Sequence, residues 1–228
     1  MSGQRHFHEE LDALKARLVA MGGLAEQAVT KAVESLQDRN LPLAEKVLES
    51  DRDINDLELQ IDDMAMQLLA LQQPMARDLR FIIMAMRISN DLERVGDHAV
   101  NIAQAATFLI KEPPFVNLPE LDDMVVLVGD MLNDALDSYV RADSKLAREI
   151  VTRDDRVDEL HENVFRILLT HMMSDPRRIH AGMDLLLVSR NLERIADLAT
   201  NIAEDVVYMV EGRIIKHHAE DMETESRD

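Results

Sequence analysis

Apolar residues recur at helical spacing along most of the chain. The N-terminal segment shows the pattern, because its apolar residues follow one another at intervals of three and four, as on the buried face of an amphipathic helix: Leu11, Leu14, Leu18, Met21, Ala25, Ala28 and Ala32. Prolines, which helix interiors exclude, fall between such segments, at positions 42, 74, 113, 114, 119 and 176. The pattern predicts an all-α protein of six long helices, near residues 9–38, 42–71, 75–110, 118–141, 144–173 and 177–211.

The two halves of the chain repeat one another. Residues 87–109 align without a gap with residues 187–209, and nine of the 23 positions are identical. Earlier in the chain the offset is 103, which pairs Met21 with Met124 and Asp51 with Asp154. A unit of three helices that occurs twice predicts two tandem three-helix bundles, over residues 1–112 and 117–218. We expect the acidic segment 219–228 to be a mobile tail.

The composition excludes several classes of function. Acidic residues outnumber basic ones by 44 to 25, and the resulting net charge of −19 repels nucleic acid and anionic membranes. The chain has no cysteine, which excludes disulfides, thiol nucleophiles and cysteine-ligated metals. No apolar run reaches the ~18 residues that a membrane span needs, and the N-terminus lacks an apolar signal core. We therefore expect a cytoplasmic protein that neither binds nucleic acid nor inserts into a membrane.

The third helix of each half carries a stripe of oxygen-bearing side chains. Members of a stripe stand one helical turn apart, and they are Glu93, Asp97 and Asn101 in the first half and Glu193, Asp197 and Asn201 in the second. The predicted apolar face, which Leu92 and Ala99 mark in the first half, lies beside the stripe. The acids should therefore border the core without being buried in it.

The second helix of each half carries a matching stripe. Its members are Asp51, Asn55, Glu58 and Asp62 in the first half and Asp154, Asp158, His161 and Glu162 in the second. If the second and third helices are neighbours, the two stripes face each other along a groove, and carboxylate and amide oxygens bind hard or borderline divalent cations. We therefore predict a metal site in each half, formed by Asp51, Asn55, Glu93, Asp97 and Asn101 and by Asp154, Asp158, Glu193, Asp197 and Asn201. Fe, Zn, Mn, Ni and Mg all suit such ligands, as a single divalent ion or as a multinuclear cluster.

Other interpretations of these residues stay open. In so acidic a chain, a Glu-x-x-x-Asp stripe can be a solvated helix face, and Arg94 and Arg194 can pair with the acids structurally. A metal-dependent hydrolase or oxidase would use the same groove, with His98 or His161 as general base. Each of these histidines occurs in one half only, so the repeat argues against catalysis and we predict no catalytic residue. A purely structural helical adaptor is the third alternative.

Four stretches resemble the PhoU family of phosphate-signalling proteins, and the similarity covers nearly the whole chain. They are residues 21–26 (Met-Gly-Gly-Leu-Ala-Glu), 73–80 (Gln-Pro-Met-Ala-Arg-Asp-Leu-Arg), 91–99 (Asp-Leu-Glu-Arg-Val-Gly-Asp-His-Ala) and 191–197 (Asn-Leu-Glu-Arg-Ile-Ala-Asp). The resemblance implies two three-helix bundles and metal bound through Glu/Asp-x-x-x-Asp motifs. It also implies a cytoplasmic adaptor between a phosphate-specific ABC transporter and a phosphate-sensing histidine kinase, which restrains uptake and starvation genes when phosphate is plentiful.

On this basis we predict a non-enzymatic, metal-binding regulator of phosphate homeostasis. Its expected partners are the histidine kinase and the transporter ATPase, and we expect a homodimer or a higher homo-oligomer. The two metal sites should differ, because the first has Asn55 where the second has Asp158. The second half also carries Leu198 in place of His98.

Overall fold

Seven α-helices make up nearly all of the chain that the structure describes. This computed structural model describes residues 2–114 and 117–215, and those ranges contain no β-strand. The helices are α1 (Ser2–Gln37), α2 (Leu41–Gln72), α3 (Ala76–Leu109), α4 (Pro119–Arg141), α5 (Ser144–Val151), α6 (Asp154–Ser174) and α7 (Ile179–Glu211), with a 3₁₀ turn at Pro176–Arg178. Helices α1 to α3 pack on one another, as do α4 to α7. The prediction of an all-α fold with two three-helix bundles is confirmed.

The helix predicted over residues 144–173 is divided into two. α5 ends at Val151 and α6 begins at Asp154, and between them Arg153 N donates to Ile150 O (2.9 Å) in a turn. The β-branched pair Val151 and Thr152 disfavours helix continuation. The acids that follow favour a new helix start, because carboxylates are stabilised in a first helical turn.

The first two helices differ in how closely they begin at their predicted starts. The Asn40 side chain accepts a hydrogen bond from Leu43 N (3.2 Å) and Pro42 occupies the first turn, so α2 begins near its predicted start. α1, by contrast, begins at Ser2 and not near residue 9. No proline interrupts this stretch, and His6 pairs with Glu10 one turn away (3.5 Å).

The predicted apolar faces form one continuous core. Leu14, Leu18 and Met21 of α1 are fully buried, and the core joins both halves. Gly22 allows α1 to approach α4 closely, because a Cβ atom at this position would lie 2.7 Å from Leu136 Cδ2. Within the described ranges, no helix is long and apolar enough to cross a bilayer.

The two halves join through α3 and α7, which make the most extensive helix contact. These helices run antiparallel, since Arg80 Nε donates to Met209 O (3.3 Å) and His98 Nδ1 lies 2.8 Å from Asn191 Oδ1. Because the repeat relates α3 to α7, an antiparallel pair implies a pseudo-two-fold axis between the halves. The limits 1–112 and 117–218 stay predictions, and the predicted tail at 219–228 lies outside the described residues.

Candidate metal centres

In the first half, α2 places Asp51 and Asn55 against α3. A Cβ atom on Gly96 would lie 3.8 Å from Asp51 Oδ1, and Asn55 Nδ2 donates a hydrogen bond to Asp51 Oδ2 (3.0 Å). The remaining two oxygens, Asp51 Oδ1 and Asn55 Oδ1, are buried and accept no hydrogen bond from any described residue. Buried acceptors are rarely left unsatisfied, so these oxygens face a position where a donor or a cation is expected.

The acids of α3 complete this first cluster. The pKa of Glu93 is raised, first by burial and then by the nearby carboxylates of Asp97, Glu58 and Asp51. Four acids from two neighbouring helices therefore lie close together, as the facing stripes predicted. Glu58 was absent from the predicted ligand set, although its position one turn after Asn55 on the same stripe already placed it in the groove.

The second half repeats this arrangement with one more charge. Asp154 is half-buried at the start of α6, and its pKa rises to about 6 because of burial and then of Asp197 and Asp158. The pKa of Glu193 is also raised, by burial and by Asp197. Asp158 occupies the place of Asn55, so the second cluster contains the additional carboxylate that the sequence indicated.

Arginines neutralise part of each cluster. In the second half, Arg194 Nη1 lies 3.0 Å from Asp197 Oδ2, and Arg194 Nε lies 3.5 Å from Glu193 Oε2. In the first half, Arg94 pairs with Asp91 outside the cluster (3.3 Å), and its charge offsets a small part of the rise in the pKa of Glu93. Such partly exposed pairs contribute little, and the raised pKa of Glu193 shows that Arg194 compensates the repulsion only in part.

His161 and Glu162 are adjacent on α6, but only His161 borders the second cluster. Its Nδ1 atom lies 2.7 Å from Ser189 Oγ on α7. Burial and then Asp197 raise the pKa of Asp158, and His161 offsets part of that rise. Glu162 instead pairs with Arg166 on the exposed surface (2.5 Å). One residue along a helix turns a side chain by about 100°, which is enough to separate the two environments.

Three residues of α3 and α7 lie at the junction of the halves. His98 Nδ1 and Asn101 Nδ2 both approach Asn191 Oδ1 of the second half, at 2.8 and 3.4 Å. Asn201 lines a surface hollow beside Glu58 of the first half. His98, which the hydrolase alternative would use as a general base, thus contacts the second half. Spacing within one helix cannot reveal these contacts, because they depend on how α3 packs against α7.

No three acidic or histidine side chains in the described ranges are arranged so that they could hold one metal ion. The donor chemistry nonetheless fits a divalent cation in each groove. The first cluster contains two buried, unsatisfied oxygens, and the second contains carboxylates that raise one another's pKa values. A cation would satisfy the oxygens and remove the repulsion.

Comparison with known protein families identifies the domain that occurs in each half. A family model described as PhoU domain matches the chain twice, at residues 18–106 and 121–206. The chain belongs to the PhoU family. Each PhoU match runs from the first helix of a half into its third, and it contains all four principal acidic or amide residues of that half's cluster.

Individual PhoU relatives match over nearly their whole lengths. The phosphate-specific transport system accessory protein PhoU homologue of Zymomonas mobilis is 42% identical over 207 residues, which cover 91% of this chain and 87% of that protein. The homologue of Aquifex aeolicus is 41% identical over 209 residues, or 92% and 95% of the two chains.

Solved PhoU structures share the fold of both halves. The crystal structure of PhoU from Pseudomonas aeruginosa matches with a TM-score of 0.88 at 40% identity, covering 91% of this chain and 100% of that one. The phosphate transport system regulatory protein PhoU from Streptococcus pneumoniae matches with a TM-score of 0.86 at 31% identity, covering 92% and 99%. The resemblance read from the sequence motifs is confirmed.

Proposed function

We propose that this PhoU-family chain is a metal-binding regulator that lowers phosphate uptake and the phosphate-starvation response when phosphate is plentiful. The relatives are described as accessory and regulatory proteins of phosphate transport systems, which supports a regulatory role. One observation carries the metal-binding part: beside the carboxylates of α3, Asp51 Oδ1 and Asn55 Oδ1 are buried without a hydrogen-bond partner among the described residues.

Each half would hold its own metal. The proposed ligands are Asp51, Asn55, Glu93 and Asp97 in the first half and Asp154, Asp158, Glu193 and Asp197 in the second. Asn101 and Asn201 are left out, because they contact the opposite half. The first set contains only oxygen donors, which suits Mg²⁺ or Mn²⁺, whereas His161 beside the second set also admits Fe, Zn or Ni. Bridging carboxylates would allow a multinuclear cluster in either groove.

Partner proteins would dock where α2 turns into α3 and where α6 turns into α7. Near these turns, three positions of the repeat are apolar and exposed in both halves: Met66 and Leu169, Leu79 and Ile179, and Ile83 and Met183. We call the three residues of each half its hairpin-end surface, so the chain carries two such surfaces. Large exposed apolar side chains at matched positions are typical of protein interaction sites.

We propose that the hairpin-end surfaces bind a phosphate-sensing histidine kinase and the ATPase of a phosphate ABC transporter in the cytoplasm. Two equivalent surfaces on one chain would allow both partners to bind at once, which links phosphate sensing to uptake. The same surfaces would also serve a homodimer or a higher homo-oligomer. The net charge of −19 disfavours nucleic acid as a partner.

This role requires no catalysis. A hydrolase would need a general base beside each groove, whereas His98 lies against Asn191 at the junction of the halves (2.8 Å). The relatives' descriptions as accessory and regulatory proteins agree with a non-enzymatic role. Phosphatase activity of the metal-loaded protein would favour the hydrolase alternative.

A reporter gene under a phosphate-starvation promoter tests the regulatory role. The chain is expressed in a bacterial strain that lacks its own PhoU homologue, and reporter activity is measured in phosphate-rich medium. We expect the wild-type chain to silence the reporter. The Ile83→Asp/Met183→Asp variant should fold but leave the reporter active, because charges on the hairpin-end surfaces prevent docking.

The matched control is Val126→Asp, which places the same charge on an exposed apolar residue of α4 that is not part of either hairpin-end surface. It should silence the reporter as the wild type does. A wild-type chain that leaves the reporter active would contradict the regulatory role. Silencing by the Ile83→Asp/Met183→Asp variant would contradict the proposed docking surface.

A further inference from the structure

A cleft of about 660 Å³ opens where α3 of the first half meets α7 of the second. Three arginines contribute to its lining: Arg94, Arg190 and Arg194. The described lining contains a single carboxylate, that of Asp184, and burial raises its pKa. In a chain with a net charge of −19, such a concentration of positive charge is a local exception that favours an anionic ligand.

The three arginines differ in their partners. Arg94 pairs with Asp91 (3.3 Å) and Arg194 pairs with Asp197 (3.0 Å), and such partly exposed pairs are weak enough to leave both guanidinium groups able to bind a ligand. Arg190 differs, because no carboxylate among the described residues pairs with it. Its charge is therefore available to a ligand.

A hydrogen-bond network across the junction fixes one wall of the cleft. Asn191 Nδ2 donates to Leu187 O (2.7 Å), which turns Asn191 Oδ1 toward His98 Nδ1 (2.8 Å). Since Asn191 Oδ1 is an acceptor, His98 Nδ1 carries the proton. The imidazole is thereby held in the lining, and its Nε2 edge has no partner among the described side chains.

The repeat supplies an internal comparison. The equivalent hollow across the pseudo-two-fold axis is lined by acids, including Glu58 and Asp91. At equivalent positions, Asn90 stands in place of Arg190 and Asp91 in place of Asn191. Arg94 and Arg194 repeat one another, so Arg190 and the small number of acids distinguish this cleft from the opposite hollow.

We propose that the cleft binds a small organic phosphate of nucleotide size, whose phosphate group is held by Arg94, Arg190 and Arg194. Guanidinium groups match phosphate oxygens with paired hydrogen bonds. The volume lies within the roughly 300–1,000 Å³ that is typical of small-molecule sites, and a free phosphate ion would leave most of it empty. Phe108 and Leu187 line the same cleft, and the largely exposed Phe108 ring offers a flat surface for a base. This site goes beyond the proposed regulatory role and does not depend on it.

Isothermal titration calorimetry of the full chain tests this assignment. Excess chelator is present throughout, so that no metal can bridge phosphate to the acidic grooves. The probes are adenosine 5′-monophosphate, inorganic phosphate and adenosine. We expect saturable binding of adenosine 5′-monophosphate at one site per chain, at least about tenfold weaker binding of inorganic phosphate, and no detectable binding of adenosine.

Two variants of equal charge locate the site. Arg190→Asn copies Asn90 of the other half and should weaken adenosine 5′-monophosphate binding at least about tenfold. Arg166→Asn removes the same charge from the exposed surface of α6, outside the cleft, and should leave the affinity unchanged within about twofold. Both residues are exposed, so unchanged melting temperatures would verify that both variants fold.

Absence of saturable binding, or equal loss in the two variants, would overturn the assignment of the cleft. If inorganic phosphate bound as tightly as adenosine 5′-monophosphate, the proposal that the ligand is an organic phosphate would be overturned. Because these titrations use metal-free protein and no partner, their failure is distinct from a failure of the regulatory reporter.

Discussion

The surroundings of Asp154 destabilise its charged form. The residue is in the first turn of α6, where the helix dipole favours an anion, yet its pKa rises from 3.8 to about 6. Burial is the largest cause, followed by Asp197 and Asp158. In metal-free protein, therefore, the charged form of Asp154 opposes folding.

The Asp154→Asn variant should differ from the wild type in how its stability depends on pH. A carboxyl with a raised pKa binds its proton more tightly in the folded state, so wild-type stability should fall as the pH rises from about 4 to about 6. Asparagine cannot ionise, so the variant should lack the part of this decrease that Asp154 contributes. Because the side chain is half-buried and partly screened, we expect the metal-free variant to melt roughly 2–4 °C higher at pH 7.5 and equally below pH 4.

Thermal unfolding in excess chelator across this pH range measures the difference. With metal bound, the wild type should instead melt at a higher temperature than the variant at pH 7.5, because the variant lacks one proposed ligand. If the melting temperatures of the two metal-free proteins changed with pH in parallel, the environment that the structure assigns to Asp154 would be contradicted.

At the scale of helices, the ion pair between Arg87 and Asp205 joins α3 to α7. Arg87 Nη1 lies 3.2 Å from Asp205 Oδ1, and the Asp205 side chain is only 2% exposed. The equivalent positions on the other side of the pseudo-two-fold axis hold Leu187 and Ala105, which are apolar. The same packing site is thus filled by charges on one side and by apolar groups on the other.

This difference predicts the outcome of a double-mutant cycle. Arg87→Leu should lower the free energy of unfolding by about 2 kcal/mol, because it removes the pairing of a buried carboxylate. Arg87→Leu combined with Asp205→Ala copies the other side and should recover most of that loss. Urea unfolding of the wild type and the three variants measures the coupling. Losses that simply add would show that the pair does not act as a unit.

Most of the helices could be predicted from the sequence, because apolar periodicity and proline positions reflect local physics. The break between α5 and α6 could not, since Val151 and Thr152 are only weak helix breakers and continued periodicity concealed the turn. The acid stripes were also predictable, because Asp51 and Glu93 border faces whose apolar periodicity is strong. Once the second and third helices of a half were taken as neighbours, the prediction that their acid stripes lie close together followed.

At the scale of the whole molecule, the contacts that the sequence did not reveal lie at the junction of the halves. His98, Asn101 and Asn201 belong to α3 and α7, and their contacts depend on the antiparallel packing of those helices. The repeat indicates that two halves exist but not how they pack together. For the same reason, the basic cleft around Arg190 could not be predicted from motifs.

The central claim is that each half holds its own metal, and metal content per chain tests it most directly. The protein is loaded with each candidate metal in turn, freed of excess, and analysed by elemental mass spectrometry. Glu193→Ala/Asp197→Ala removes proposed ligands of the second half, and Asp51→Ala/Glu93→Ala is the matched change in the first. These side chains lie beside the core and alanine favours helix, so both variants should fold.

We predict that each double variant loses about half of the metal that the wild type binds, because the two ligand sets are separate. Chelator should lower the melting temperature of the wild type and have a smaller effect on either variant. A wild-type protein that binds none of these metals and is indifferent to chelator would contradict the claim, and so would variants that retain the full metal content.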